Sequence, residues 1–158
     1  MMSRYKKILF SILISLLVYG CGYEPMFKDL KSLNFIITIN NTSGNEKINS
    51  LIKTKLGNYT KEENKENFQN YNIEYISKYQ KLIVAKDTTG TATEYKISIE
   101  AKFIVSSGEF KKEFQYTESF NMKSFSDRLE EQDYEKNIQI SLVNIITRKL
   151  ILQISQIR

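Results

Sequence analysis

The chain has 158 residues, with 23 Lys+Arg against 18 Asp+Glu, one cysteine, one proline and no histidine. Lacking histidine, it has neither the commonest general base nor the commonest metal ligand, and its single thiol can build no Cys/His nucleophile pair or zinc cluster. Its basic residues are 19 lysines and only four arginines, which argues against bidentate reading of phosphates and bases, so nucleic acid is not expected as a partner.

Arg4, Lys6 and Lys7 open the chain, and the eleven residues Ile8–Val18 hold two serines among apolar side chains. A basic start followed by a short apolar stretch is the pattern of a secretory leader. Eleven helical residues rise roughly 16 Å, about half of a ~30 Å hydrocarbon core, so a permanent span is not expected. Val18-Tyr19-Gly20-Cys21 then sets a branched apolar residue three before the cysteine and a small one directly before it. This resembles the lipobox of bacterial lipoproteins, and the resemblance implies that the Cys21 thiol is lipidated and the leader cut off in front of it. No second cysteine exists to pair with it. Residues 1–20 therefore read as a lipoprotein signal peptide, 21–32 as the lipidated cysteine and a linker holding Pro25, and 33–158 as a single domain. Without the leader, 138 residues remain, enough for one core. Twenty basic residues then face 18 acidic ones, so most of the basic surplus goes with the leader.

Leu33, Phe35, Ile37 and Ile39 recur with period two and predict a strand. Asn41–Asn45 is a turn cluster that can also cap a helix starting just after it. Ile48, Leu51, Ile52, Leu56 and Tyr59 form the stripe of an amphipathic helix, with Gly57-Asn58 able to supply a left-handed end. Thr60–Asn70 is polar apart from Phe68 and reads as a frayed end or loop. Tyr71, Ile73, Tyr75 and Tyr79 then mark one face of a second strand, which ends in Leu82-Ile83-Val84 before a turn or bulge at Lys86–Gly90. The third strand is the clearest: Tyr95, Ile97, Ile99, Ala101, Phe103 and Val105 face one way, and Glu94, Lys96, Ser98, Glu100 and Lys102 the other. Ser106–Glu109 predicts a hairpin turn. A fourth strand runs from about Phe110 to Phe120, with Phe114, Tyr116 and Phe120 in phase. From Ser126 or Leu129 to Ile154 a long helix keeps Tyr134, Ile138, Leu142, Ile145, Ile146, Leu150 and Ile154 on one stripe, widened by Val143. Ile140 and Ile151 fall outside it, either as scattered surface residues or as a second, protein-facing patch.

The order β-α-β-β-β-α predicts an α+β, two-layer sandwich, with two helices on one face of a four-stranded mixed sheet. The aromatic residues of the last three strands suggest a binding surface if they face the wet side, and core or cross-strand packing if they do not. Glu62-Glu63, Glu130-Glu131 and Asp133/Glu135 lie in polar stretches and read as solvated faces. The six glycines are scattered and form no phosphate loop. No enzyme activity, cofactor or metal is expected.

Cys21-Gly22-Tyr23-Glu24-Pro25-Met26-Phe27 resembles the Cys-Gly-aromatic start of LptE, the LPS-assembly lipoprotein family of Gram-negative bacteria. Asp87–Tyr95, ending in Thr91-Ala92-Thr93-Glu94-Tyr95, resembles the segment leading into that family's central strand, and Glu131-Gln132-Asp133 is similar to the opening of its last helix. The element order is also the family's own, although the polar insert near Thr60–Asn70 and the lack of a tail after Arg158 depart from it. The resemblance implies an outer-membrane lipoprotein, anchored on the periplasmic side. Its expected role is plug and assembly partner of the β-barrel LptD, helping to insert lipopolysaccharide into the outer leaflet. It also implies a basic contact for LPS near Arg128. Lys102 on the wet strand face, and Lys111 and Lys112 after the hairpin, are the other candidates, each with an ordinary solubilising charge as its alternative. Another outer-membrane lipoprotein, such as an accessory subunit of a barrel-assembly machine or a surface adhesion module, stays open as a second reading. A periplasmic enzyme is a third.

Overall fold

The computed structural model describes residues 35–59 and 68–157. The leader, Cys21, the linker with Pro25, Leu33, most of the predicted loop (60–67) and Arg158 lie outside the described residues. Four strands and two helices run in the order β1 (Phe35–Gly44), α1 (Glu46–Leu56), β2 (Gln69–Lys86), β3 (Ala92–Ser107), β4 (Phe110–Lys123) and α2 (Arg128–Ser155). The sheet order is sequential, with β1 parallel to β2 and the remaining pairs antiparallel. Helix α1 packs on β1 and β2, α2 packs on β3 and β4, and the helices touch each other. This is the predicted α+β sandwich.

Its core obeys the period-two pattern. Ile37, Ile73, Ile97, Ile99, Phe103 and Met122 are buried between sheet and helices, against Ile52 and Leu56 of α1 and Ile146 and Leu150 of α2. Register shows which face the aromatics take: Tyr79 lies opposite Ile99, Tyr116 opposite Ala101 and Phe120 opposite Ile97. Directly opposed residues share a face. The strand aromatics therefore all stand on the helix-bearing side, and an aromatic binding surface on the wet face is ruled out.

Several boundaries differ from expectation. Asn41–Gly44 is strand, not turn, because β2 runs alongside in parallel and takes up its backbone bonds through a register shift between Ile39 and Asn41. Asn45 does cap α1: its side chain accepts from the Ile48 N–H at 3.0 Å. Gly57 has φ −56°, so no left-handed residue ends the helix; a 3-10 turn, Gly57–Tyr59, continues it instead. Gln69 and Asn70 belong to β2, and β4 runs three residues past Phe120, burying Met122. In α2, Ile151 is fully buried while Ile145 is 42% exposed, the reverse of the predicted assignment. Tyr134 is likewise exposed. A helix that touches both a sheet and a neighbouring helix buries a wider, displaced arc, which takes in Ile151 and leaves Ile145 outside. Ile140, half-buried, gives no second patch with it.

Candidate functional site

The basic candidates do not converge. Lys102 lies on the open sheet face and is ion-paired with Glu113 across β3 and β4 at 2.8 Å. Lys111, opposite Ser106, shares that face. Lys112 lies opposite Val105 on the other, helix-bearing face, its ammonium 5.2 Å from the centroid of the Phe114 ring. Arg128 begins α2 at the far end of the sheet. Ser124 donates to the Thr93 carbonyl there, and Glu131, one turn beyond Arg128, reaches Lys81. From Lys112 to Met122 the strand advances ten residues, or about 33 Å. Two faces and two ends of the sheet thus separate the four residues.

Sequence reasoning missed the polar cluster at the α2 end. Lys81 reaches Glu131 at 2.9 Å and Glu135 at 2.8 Å, and its ammonium stands 4.2 Å from the centroid of the Tyr95 ring. Tyr79 donates to Glu135, as does the buried Gln139, and the Phe125 N–H donates to Glu131. Burial works against the Lys81 charge, but both carboxylates together raise its pKa above the usual value. Glu131 is held low by Lys81 and the Phe125 N–H. Glu135 is pushed up by burial, yet the bonds from Lys81 and Tyr79 leave it below the usual value. Burial first, then the bond to Glu135, push Tyr79 up to about 12. Glu131 and Glu135 are therefore not on a solvated face. The signal was in the spacing: i, i+4 carboxylates on a helix, and Tyr79 and Lys81 two apart on one strand face. Nothing in one sequence pairs those two segments.

The same end of the molecule exposes apolar surface. Leu82, Ile83 and Val84 are 55, 51 and 47% exposed, and Leu129 is 72% exposed. The loop between β2 and β3 is tied internally. The Asp87 carboxylate accepts from the N–H groups of Thr89 and Thr91, both at 2.9 Å, and Gly90 supplies the left-handed turn residue with φ +86°. Most of the open sheet face is polar, with Gln115 donating to Glu100 at 3.0 Å beside the Lys102–Glu113 pair, although Ile76, opposite Lys102, and Leu82, opposite Lys96, are exposed on it. Among the described residues no group of His, Cys, Asp and Glu side chains is placed to hold a metal.

No protein-family model matches the chain, and no curated protein matches it in sequence. Solved structures do. Rare lipoprotein B from Shewanella oneidensis aligns with TM-score 0.51 at 14% identity, over 72% of this chain and 92% of its own. A lipoprotein candidate from Caulobacter crescentus aligns with TM-score 0.52 at 10% identity, over 75% of this chain and 87% of its own. This chain has their fold. The alignments take in nearly the whole of each of those proteins, so the likeness concerns the complete sandwich and not a single motif.

Proposed function

We propose that this chain is a lipid-anchored outer-membrane protein of the LptE kind, a plug and assembly partner of the LPS-transport β-barrel. The shared fold with rare lipoprotein B carries this reading. The lipobox-like Val18–Cys21 supplies the anchor, and the sandwich supplies a body with one dry and one hydrated side. A sheet face dominated by lysines, glutamates, amides and hydroxyls, with Ile76 and Leu82 among them, suits the polar, water-filled interior of a barrel. The role is binding and positioning, with no catalytic step. Lys102, Lys111, Lys112 and Arg128 are candidate LPS contacts at separate places on that body. Copurification of the tagged full chain from outer membranes tests the reading. The LPS-transport barrel should come with it, and depletion of the chain should lower the amount of assembled barrel. A barrel-assembly machine in its place, or unchanged barrel levels on depletion, would refute it.

A further inference from the structure

Strand β1 leaves the sheet edge halfway along β2. Its ladder ends where Gly44 pairs with Ser77, yet β2 runs on to Lys86. At that point the Asn45 N–H donates to the Ser77 carbonyl at 3.0 Å, and the chain turns into α1. Lys78–Lys86 pairs with β3 on one side, and among the described residues no strand lies on its other side.

The Asn45 bond also sets the direction of the backbone groups beyond it. In an extended strand the N–H and C=O of one residue point to the same side, and the side alternates along the chain. The Ser77 carbonyl points to the β1 side, so Tyr79, Lys81 and Ile83 present their backbone groups there too. Lys78, Gln80 and Leu82 direct theirs to β3. The register with β3 is unbroken from Asn72 to Ile83, which carries the alternation that far. Beside this bare edge stand the exposed Leu82, Ile83 and Val84. The outer edge of β4 differs, since its exposed residues other than Phe120 are charged or polar, a composition that discourages pairing. The β2 edge is also held in place, by Lys81 bound to two glutamates of α2 and by the Asp87 loop at its end.

The geometry points to the Tyr79–Ile83 edge of β2 as the acceptor for an extended segment of another polypeptide, added in the line that β1 vacates. Outward N–H and C=O groups recurring every second residue, at about 6.6 Å, match another extended backbone; a lipid, sugar or phosphate offers no such row. Apolar side chains at alternate positions of the added segment would cover Leu82 on one face and Ile83 on the other. The register irregularity between Ile83 and Ala85 ends the usable edge and keeps the addition short. The site goes beyond the plug reading and holds for whichever envelope protein supplies the strand.

The test takes the full chain in detergent micelles with a capped hexapeptide of alternating valine and threonine, beside the same peptide N-methylated at every residue. The plain peptide, near 1 mM, should slow amide exchange at Tyr79, Lys81 and Ile83 by about fivefold or more and leave Gln80 and Leu82 unchanged. The methylated peptide should not. Ile83→Pro, acceptable on an edge, should weaken the slowing at Tyr79 and Lys81. No slowing, slowing at β4 in its place, or equal slowing by both peptides would overturn the assignment. Slowing without peptide that grows with protein concentration would give the edge to a second copy of the chain, and would overturn it as well.

Discussion

Gly44 has φ +95°, and a Cβ there would collide with the Ser77 carbonyl oxygen, the acceptor of the Asn45 N–H. Gly90 has a similar φ, +86°, but open space around it. The left-handed region costs a residue with a Cβ roughly 1–2 kcal/mol, so Gly90→Ala should lose about that much. Gly44→Ala carries the same cost plus displacement of backbone, and should lose at least about 1 kcal/mol more. Denaturant midpoints compare the two, and equal losses would show that β1 can shift without cost. The Lys81 cluster should also set how stability responds to acid. Glu131 and Glu135 titrate below their usual 4.5 in the folded chain. Carboxylates with depressed folded pKa values give stability that is present above the unfolded pKa and lost as pH falls through the folded value. That contribution should be complete at neutral pH and decline as pH drops past about 4.5. Glu131→Gln with Glu135→Gln should lower stability at neutral pH but flatten the acid loss. Parallel acid profiles for wild type and variant would mean the cluster is not coupled to folding.

Among the elements, β3 was the most legible, because Ile97 to Val105 alternate without a break and the structure buries every second one. The end of β1 was not, since Asn41-Thr42-Ser43-Gly44 has turn chemistry and becomes strand only through the parallel register with β2. The phase of α2 was half legible. Its stripe is right at Ile138, Leu142, Ile146, Leu150 and Ile154, but which flank is also covered depends on where α1 lies, and one helix's own sequence does not record that. The candidate site divides the same way: the lysines were visible, their separation was not, and the Lys81 cluster needed the packing of α2 on the sheet. Two substitutions in α2 check its phase. Ile151→Ala should cost about 2–4 kcal/mol, as buried Ile truncations do, and Ile145→Ala less than about 1. Thermal melts of both decide it, and a larger loss at Ile145 would place the helix in the other rotation.

On the proposed function, the distribution of charge over the whole molecule constrains how lipopolysaccharide is met. Lys112 and Arg128 lie near opposite ends of the sheet, about 30 Å apart along the strands. Sites that far apart with no shared partner act independently. Charge reversal at either should therefore weaken binding of purified LPS at low salt at its own place only, and the double variant should show the two single losses as separate components. One binding event weakened by the product of the two single effects would require both residues on one LPS molecule.

Residues 35–59 and 68–157 hold a core of their own, and no described helix is long and apolar enough to cross a membrane. On the proposed function, acyl chains at Cys21 attach the body to the membrane independently of the barrel. Each buried methylene contributes about 0.8 kcal/mol, and two or more chains meet what stable attachment requires. Cys21→Ala placed behind a cleavable, non-lipoprotein secretory leader should give a folded domain with an unchanged melt that fractionates with soluble periplasmic contents. The comparison has to be made in cells lacking the barrel partner, because a plug would hold the domain at the membrane by itself. Retention of the variant in the membrane fraction of such cells would show that the folded body binds lipid directly, and Cys21 would no longer be the sole attachment.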